Sequence, residues 1–233
     1  MSLRATIHLH PTAPLAPRVL LPGDPGRALR LAQRLLAEPR MFNHNRGLWG
    51  YTGTAADGQP LTIQSTGMGA PSAAIVISEL AELGARRLLR VGTCGALSAG
   101  LALGELLIAG EALAGDGASR ALGAGERVAA TGGLVAALQA AGGPRIRSGT
   151  VLCTDLFYDP SAPEVARART GALAVEMESA VLFTLAAERG LEAASVLAVS
   201  DQLLPERQRI DAEALLEAEY RLGDLAAAAL AAG

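Results

Sequence analysis

The chain has 233 residues, of which 50% are hydrophobic and only 18% are charged, so it can bury a large core as one domain. Its formal net charge is −3 and its arginines are scattered, which argues against nucleic acid or a membrane surface as a partner. No apolar run approaches the roughly 20 residues that a membrane helix needs. We therefore expect a single globular domain over residues 1–233.

Cysteine and histidine are scarce. Cys94 and Cys153 lie in apolar or Gly-rich surroundings, and we interpret both as small core residues. A nucleophilic Cys94 would need a base and an oxyanion site that the sequence does not specify. Two cysteines without an N-terminal signal segment favour a reducing compartment, so we expect a cytoplasmic protein. The three histidines match no metal-ligand spacing, and we expect no metal.

Strands and helices are predicted to alternate along the chain. In the first part we expect strands at 18–21, 50–54, 60–65 and 88–91, with helices at 28–36 and 71–83. In the second part we expect strands at 106–108, 149–153, 173–175 and 194–199, with helices at 134–141, 179–189 and 212–231. The rest of 98–133 is predicted to be loop. This order indicates an α/β fold, a single-domain three-layer α/β/α sandwich with a central mixed sheet.

Three Gly-rich segments follow predicted strands, at 23–27, 67–69 and 92–95. Arg27 and Arg90 lie in or beside two of them. Glycines let a backbone approach an anion, and a guanidinium binds two phosphate oxygens at once. Together the segments predict a phosphate site, although each alone is more typical of a tight turn with a surface arginine.

Acidic residues follow two other predicted strands. Glu176 and Glu178 lie where a buried strand meets a helix, so at least one needs a partner. Two carboxylate oxygens suit the ribose diol, whereas an acid at a helix start is the ordinary alternative. Ser200-Asp201 follows the apolar strand 194–199, which places Asp201 as a candidate catalytic acid or a turn cap.

The motifs resemble those of the nucleoside phosphorylase family that includes bacterial purine nucleoside phosphorylases and uridine phosphorylases. The resemblance runs from about Thr6 to the C-terminus. The motifs, in family order, are Pro22-Gly-Asp-Pro-Gly-Arg27, Asn45-Arg-Gly47, Ser65-Thr-Gly-Met-Gly-Ala-Pro-Ser72, Arg90-Val-Gly-Thr-Cys-Gly-Ala96, Asp155-Leu-Phe-Tyr158, Val175-Glu-Met-Glu178 and Ser200-Asp201.

The resemblance implies reversible phosphorolysis of nucleosides, with inorganic phosphate as co-substrate and no cofactor. Phosphate would be held by Gly23, Arg27, Arg90 and Thr93, with Arg46 supplied by a neighbouring subunit. It also implies a homo-oligomer, with a dimer as the minimal active unit within a hexamer.

The nucleoside positions of the family also have counterparts here. They are Met177 and Glu178 for ribose, a neighbour-supplied His8 for the 5′-hydroxyl, and Phe157, Val175, Ser200 and Asp201 for the base. The alignment near His8 needs a small gap, so His10 remains an alternative. Asp201 would protonate the departing purine. Family members place a supporting arginine after the Ser-Asp pair, but Arg207 and Arg209 are nearer to Asp201 than that spacing, so either of them, or neither, would support the acid.

Purine chemistry is favoured over two enzymatic alternatives and one binding function. Uridine phosphorylases lack the acid at Asp201 and carry an insertion with a Gln and an Arg, for which residues 159–174 are too short a segment. Nucleosidases for methylthioadenosine or adenosylhomocysteine lack the phosphate arginines. A non-catalytic nucleoside-binding protein would not need both phosphate and leaving-group residues. The choice between 6-oxo and 6-amino purines stays open.

Overall fold

The computed structural model describes residues 6–159, 167 and 170–232. The strands are β1 (Arg18–Leu21), β2 (Ala37–Asn43), β3 (Gly50–Thr54), β4 (Pro60–Gln64), β5 (Arg87–Ala96), β6 (Leu106–Ala114), β7 (Arg127–Ala129), β8 (Arg147–Cys153), β9 (Ala174–Glu176), β10 (Glu192–Gln202) and β11 (Gln208–Arg209). The helices are α1 (Pro25–Leu35), α2 (Ala70–Leu83), α3 (Gly117–Ala121), α4 (Gly132–Gly142), α5 (Ser179–Arg189) and α6 (Ala212–Ala231), and Asn45–Gly47 forms a 3-10 turn. None of these helices is long and apolar enough to cross a membrane.

All the described strands belong to one mixed sheet. The strand order is β11-β10-β6-β8-β9-β5-β1-β4-β3-β2, with β7 beside β6. Since β10 also pairs with β5, the strands β5, β10, β6, β8 and β9 close into a ring. The predicted mixed sheet is confirmed. Its partial closure was not predicted, because hydrophobic patterns do not specify which strands pair.

Helices cover both sides of the sheet. On one side α1, α4 and α6 bury a cluster that includes Leu31, Leu138 and Leu222. On the other side α2 and α5 bury Ile77 and Phe183 in a second cluster. The predicted three-layer arrangement is therefore confirmed.

Several predicted boundaries were right because capping residues mark them. Helix α5 has the predicted bounds, and the residue that caps its C-terminus, Gly190, has a positive φ of 64°. Helix α6 also has the predicted bounds, and its N-cap Asp211 accepts from the backbone N–H of Ala214.

Helix α1 begins at Pro25, earlier than predicted, because Asp24 caps it by accepting from the N–H groups of Gly26 and Arg27.

Other predictions were wrong. The segment 92–95 is not a loop, because β5 continues through it to Ala96. The region 98–133 contains the long strand β6, the short strand β7 and α3 instead of mostly loop. Strand β2 was missed because only its last two residues are buried, which leaves no alternating pattern to detect.

Candidate active site

A cavity of about 400 Å³ lies at the carboxyl ends of β1, β4, β5, β9 and β10. It brings together most of the predicted site residues: Gly23, Arg27, Arg90, Thr93, Phe157, Val175, Met177, Glu178, Ser200 and Asp201. His8 and Arg46 are not among the described residues that line the cavity. The cavity is therefore the candidate active site, and two predicted residues lie outside it.

Arg90 of β5 lies between the carboxylates of Glu176, the last residue of β9, and Glu178, two residues further on. Its Nε donates to Glu176 Oε2 at 2.9 Å, and its Nη2 lies 2.6 Å from Glu178 Oε2. Burial lowers the pKa of Arg90, but the negative charges of Glu178 and Glu176 outweigh this effect, so that pKa lies above its usual value. The guanidinium is thus fixed as a cation inside the cavity wall.

Gly92 makes room for this guanidinium. The two residues lie on the same side of β5, since side chains alternate along a strand. A Cβ at Gly92 would lie 2.6 Å from Arg90 Cζ, so the guanidinium could make room for it only by leaving its salt bridges to Glu176 and Glu178. Gly92 therefore lies within the strand, where the absence of a side chain leaves space for the Arg90 guanidinium, and does not form a turn.

The two carboxylates differ in their surroundings. Glu176 accepts from the N–H groups of Glu178 and Ser179 and from the thiol of Cys153. It thereby satisfies backbone N–H groups at the start of α5. Glu178 accepts from the N–H of Gly69 at 2.6 Å and lines the cavity. Burial raises the pKa of Glu178, although Arg90 opposes this rise. Both residues line the cavity, but the Glu176 side chain is fully buried whereas that of Glu178 is 9% exposed, so Glu178 is the better placed of the two to contact a ligand.

The first turn of α1, the helix that follows β1, supplies the second buried arginine. Arg27 Nε donates to Glu219 Oε1 of α6 at 2.8 Å, and Nη1 donates to the Val91 carbonyl at 3.4 Å. Gly23 lies against the loop after β4, where an added Cβ would meet the carbonyl oxygen of Gly67 at 3.1 Å. The absence of a side chain at Gly23 therefore allows the two loops to pack closely.

Asp201 lies at the end of β10 and is buried. The register between β10 and β5 shifts after Val199, so Ser200 is the extra residue and Asp201 lies opposite Gly95. Such a bulge re-aims the side chain that follows it. Ser200 Oγ donates to Asp201 Oδ2 at 2.8 Å, and Arg207 Nη2 donates to Oδ1 at 3.1 Å.

Comparison with known proteins places this site in a family. Residues 17–232 match the model of the Phosphorylase superfamily. The chain belongs to the phosphorylase superfamily.

Relatives within the phosphorylase superfamily include purine and uridine enzymes. The chain is 39% identical over 198 residues to a DeoD-type purine nucleoside phosphorylase of Oceanobacillus iheyensis, covering 82% of this chain and 84% of that one. It is 40% identical over 196 residues to one of Bacillus cereus, covering 81% and 83%. A uridine phosphorylase of Vibrio fischeri superposes with a TM-score of 0.83 at 28% identity, covering 94% of this chain and 93% of that chain.

Within this phosphorylase chain, His8 and Arg46 form a separate surface feature. His8 Nδ1 lies 2.7 Å from Glu79 Oε1, and its carbonyl accepts from Asn45 Nδ2 at 2.9 Å. Arg46 is exposed and has a positive φ of 58°. His10 Nε2 contacts the carbonyl oxygen of Ile7 instead. The structure thus brings His8 and the Arg46 turn together, away from their own chain's cavity lining.

Sequence reasoning missed some parts of the phosphorylase cavity. Arg167 and Leu203 also line it, and Arg207 lies with its Cζ 5.3 Å from the ring centroid of Phe157. Arg207 had been named from the family resemblance as a candidate support of Asp201, but its contact with the Phe157 ring was not predicted. Residues 160–166, 168 and 169 lie outside the described part of the chain, so the sequence argument about the segment 159–174 stays a prediction.

Proposed function

We propose that this chain catalyses the reversible phosphorolysis of purine ribonucleosides and deoxyribonucleosides to the free base and the pentose 1-phosphate. The observation that carries the proposal is one cavity lined by two buried arginines, Arg27 and Arg90, and by the buried acid Asp201. The identity to purine nucleoside phosphorylases supports the same activity. Inorganic phosphate is the co-substrate, and the reaction needs no metal or cofactor.

Phosphate binding is the task of the arginine side of the cavity. Arg27 and Arg90 would hold the phosphate, with Gly23 and Thr93 lining the same space. Fixed cations in a buried site stabilise an anion more strongly than in water. The bound phosphate attacks C1′ as the glycosidic bond breaks, and its negative charge stabilises the positive charge that develops on the ribose.

Asp201 is the proposed general acid. As the bond to C1′ breaks, negative charge develops on the purine, and a proton delivered to N7 neutralises it. Ser200 and Arg207 orient the carboxyl group through their hydrogen bonds. Phe157, Val175 and Met177 line the cavity as the apolar contacts for base and sugar.

Glu178 is the proposed ligand of the ribose hydroxyls. In the structure its Oε2 binds Arg90, the same guanidinium that is proposed to bind phosphate. Substrate binding would therefore break the salt bridge between Arg90 and Glu178. Phosphate would accept hydrogen bonds from Arg90, and the ribose diol would donate hydrogen bonds to Glu178.

Two enzymatic alternatives are separated by one assay. Purified protein is incubated with inosine, adenosine, methylthioadenosine and uridine, each with and without inorganic phosphate, and free base and pentose 1-phosphate are quantified. Purine release that requires phosphate and yields pentose 1-phosphate is the expected result. Base release without phosphate would indicate a nucleosidase, uridine cleavage alone would indicate a uridine phosphorylase, and no cleavage would indicate a binding protein.

We further propose that the active site is shared within a homodimer, which assembles into a cytoplasmic hexamer. His8 and Arg46, the resemblance-based contacts to the 5′-hydroxyl and phosphate, lie outside the cavity lining of their own chain as described. Large apolar side chains near them, Ile7, Met41 and Trp49, are exposed. Such exposed apolar groups favour an interface with a second copy.

A further inference from the structure

Helix α6 carries a buried carboxylate on an otherwise apolar face. The Glu219 side chain is only 5% exposed. Its neighbours on the buried face of α6 include Ala218, Leu222 and Leu225. A buried carboxylate costs free energy unless it is paired and hydrogen-bonded, so the position of Glu219 requires an explanation.

Two arginines of α1 occupy both oxygens of this carboxylate. Arg27 Nε donates to Oε1 at 2.8 Å, while Arg30 Nη2 donates to Oε2 at 2.6 Å. Residues three apart project from the same side of a helix, so α1 presents both guanidinium groups to Glu219. The contact links α6 to α1, the helix that follows β1.

Only one of the two arginines reaches the cavity. Among the described lining residues are Gly23, Asp24 and Arg27, but neither Arg30 nor Glu219. The bonds of Arg27 to Glu219 and to the Val91 carbonyl use Nε and Nη1. Neither uses Nη2. Glu219 therefore holds the guanidinium from outside the cavity through the nitrogen nearest the side-chain stem.

Arg30 keeps this arrangement from cancelling the charge of Arg27. One carboxylate between two guanidinium groups leaves a net charge of +1 for the three side chains. Asp24 also approaches Arg30, at 3.4 Å, but its side chain is 49% exposed, so solvent screens that charge. The group consequently stays attractive to an anion while Arg27 is fixed in place.

We propose that Glu219 is a positioning residue for phosphate binding: it fixes the Arg27 guanidinium at the cavity wall, and Arg30 balances its charge. This inference rests on the proposed function, in which Arg27 binds phosphate. It makes α6, which contributes no described residue to the cavity lining, part of the phosphate site.

The test compares Glu219→Gln and Glu219→Asp with a matched control. Gln keeps the length and removes the charge, whereas Asp keeps the charge and withdraws the carboxylate from Arg27. Asp224→Asn is the control, since Asp224 lies on the same helix and binds Arg34 of α1 at 2.7 Å, but both side chains are more than 40% exposed. KM for phosphate, KM for inosine, kcat and the thermal unfolding midpoint are measured for each protein.

We expect both Glu219 variants to raise KM for phosphate roughly tenfold or more, because a small displacement of a binding group is costly. KM for inosine should change little, and Asp224→Asn should change neither. Arg30→Met, a substitution at a partly exposed position, should also raise KM for phosphate, because Glu219 would then neutralise Arg27. This variant keeps the test informative if the Glu219 variants do not fold.

Arg27→Ala separates failure of this inference from failure of the proposed function. If Arg27→Ala raises KM for phosphate and the Glu219 variants do not, the positioning role is wrong while the phosphate site stands. If Glu219→Gln lowers KM for phosphate, the carboxylate merely weakens the site, and the inference is also overturned. If Arg27→Ala itself leaves KM for phosphate unchanged, the proposed role of Arg27 fails first.

Discussion

Arg207 donates to the carboxylate of Asp201 at 3.1 Å. Arg209, the other arginine considered from the sequence, pairs with Asp201 only through the backbone register of β11 and β10. The turn between those strands therefore brings Arg207, and not the side chain of Arg209, into the described hydrogen-bond network of Asp201. Because Arg207 also lies over the Phe157 ring, it connects the proposed acid to the proposed base contact.

Replacement of Arg207 by Ala should lower kcat for inosine, because Asp201 loses a charged hydrogen-bond donor that orients it. A loss of roughly tenfold is expected from one such bond. Arg209→Ala is the matched control and should stay close to wild type. Steady-state kinetics on both variants test this, and equal kinetics for the two would remove Arg207 from the positioning of the acid.

Asp201→Asn should reduce turnover of inosine by about 10² to 10⁴, the usual contribution of a general acid. The amide has nearly the same shape and can still accept from Arg207, but it has no acidic proton to deliver. Phosphate binding should persist, which equilibrium titration with phosphate checks. An unchanged kcat would exclude Asp201 as the acid.

Glu178→Gln should penalise ribosides more than 2′-deoxyribosides, because the deoxy sugar has one hydroxyl fewer to bind. Glu176→Gln provides a control from the same segment, since Glu176 also binds Arg90 but closes the start of α5. We expect that control to lower the unfolding midpoint and to affect both sugars alike. The ratio of kcat/KM values for inosine and 2′-deoxyinosine is the measurement. Equal losses for Glu178→Gln would contradict a ribose role.

Mixed dimers of Asp201→Ala and Arg46→Ala chains should regain activity. Each parent homodimer lacks one essential group in every site. In a mixed dimer with shared sites, one pocket combines Asp201 of the second chain with Arg46 of the first and is intact, while the other carries both lesions. Two affinity tags allow the mixed species to be purified, and we expect up to about half of the wild-type activity per dimer.

The same experiment distinguishes a shared site from a site within one chain. If Arg46 acted in its own chain, both pockets of the mixed dimer would carry one lesion each. Activity would then equal the mean of the two parents, and the shared-site proposal would fail. Mixed dimers of wild-type and doubly substituted chains are the reciprocal control: a shared site leaves one lesion in each of their pockets, whereas a site within one chain leaves one pocket intact.

Both thiols should resist modification in the native protein. Burial raises the pKa of Cys94 and Cys153 well above the usual range, and the nearby Glu176 raises both further. Because the thiolate is the reactive form, a thiol reagent at neutral pH should modify neither residue until denaturant is added. Rapid modification of Cys94 in the folded protein would reopen its candidacy as a nucleophile.

The sequence predicted the layers and much of the cavity because these depend on local patterns. Apolar runs followed by Gly-rich or acidic segments marked the carboxyl ends of β1, β9 and β10, where Arg27, Glu178 and Asp201 lie. Capping residues such as Asp211 marked helix boundaries. Chemistry and short-range geometry were sufficient for these features.

What could not be predicted depends on contacts between distant segments. The link between Glu219 and Arg27 joins residues 192 positions apart, so no local pattern signals it. The pairing of β10 with both β5 and β6, which closes the ring of strands, has the same origin. Gly92 and Gly95 were wrongly taken as signs of a loop. Both lie in a strand, and each is a glycine because a side chain, Arg90 or Leu203 respectively, occupies the space that a Cβ would need.

Gly92 and Arg90 are tied together by the space that they share. A methyl group at Gly92 would displace the guanidinium from its two carboxylates, whereas loss of Arg90 would remove the need for a glycine there. Substitutions at the two positions should therefore be linked. Among descendants of this chain, a larger residue at position 92 should be found only where the arginine at position 90 has already been replaced.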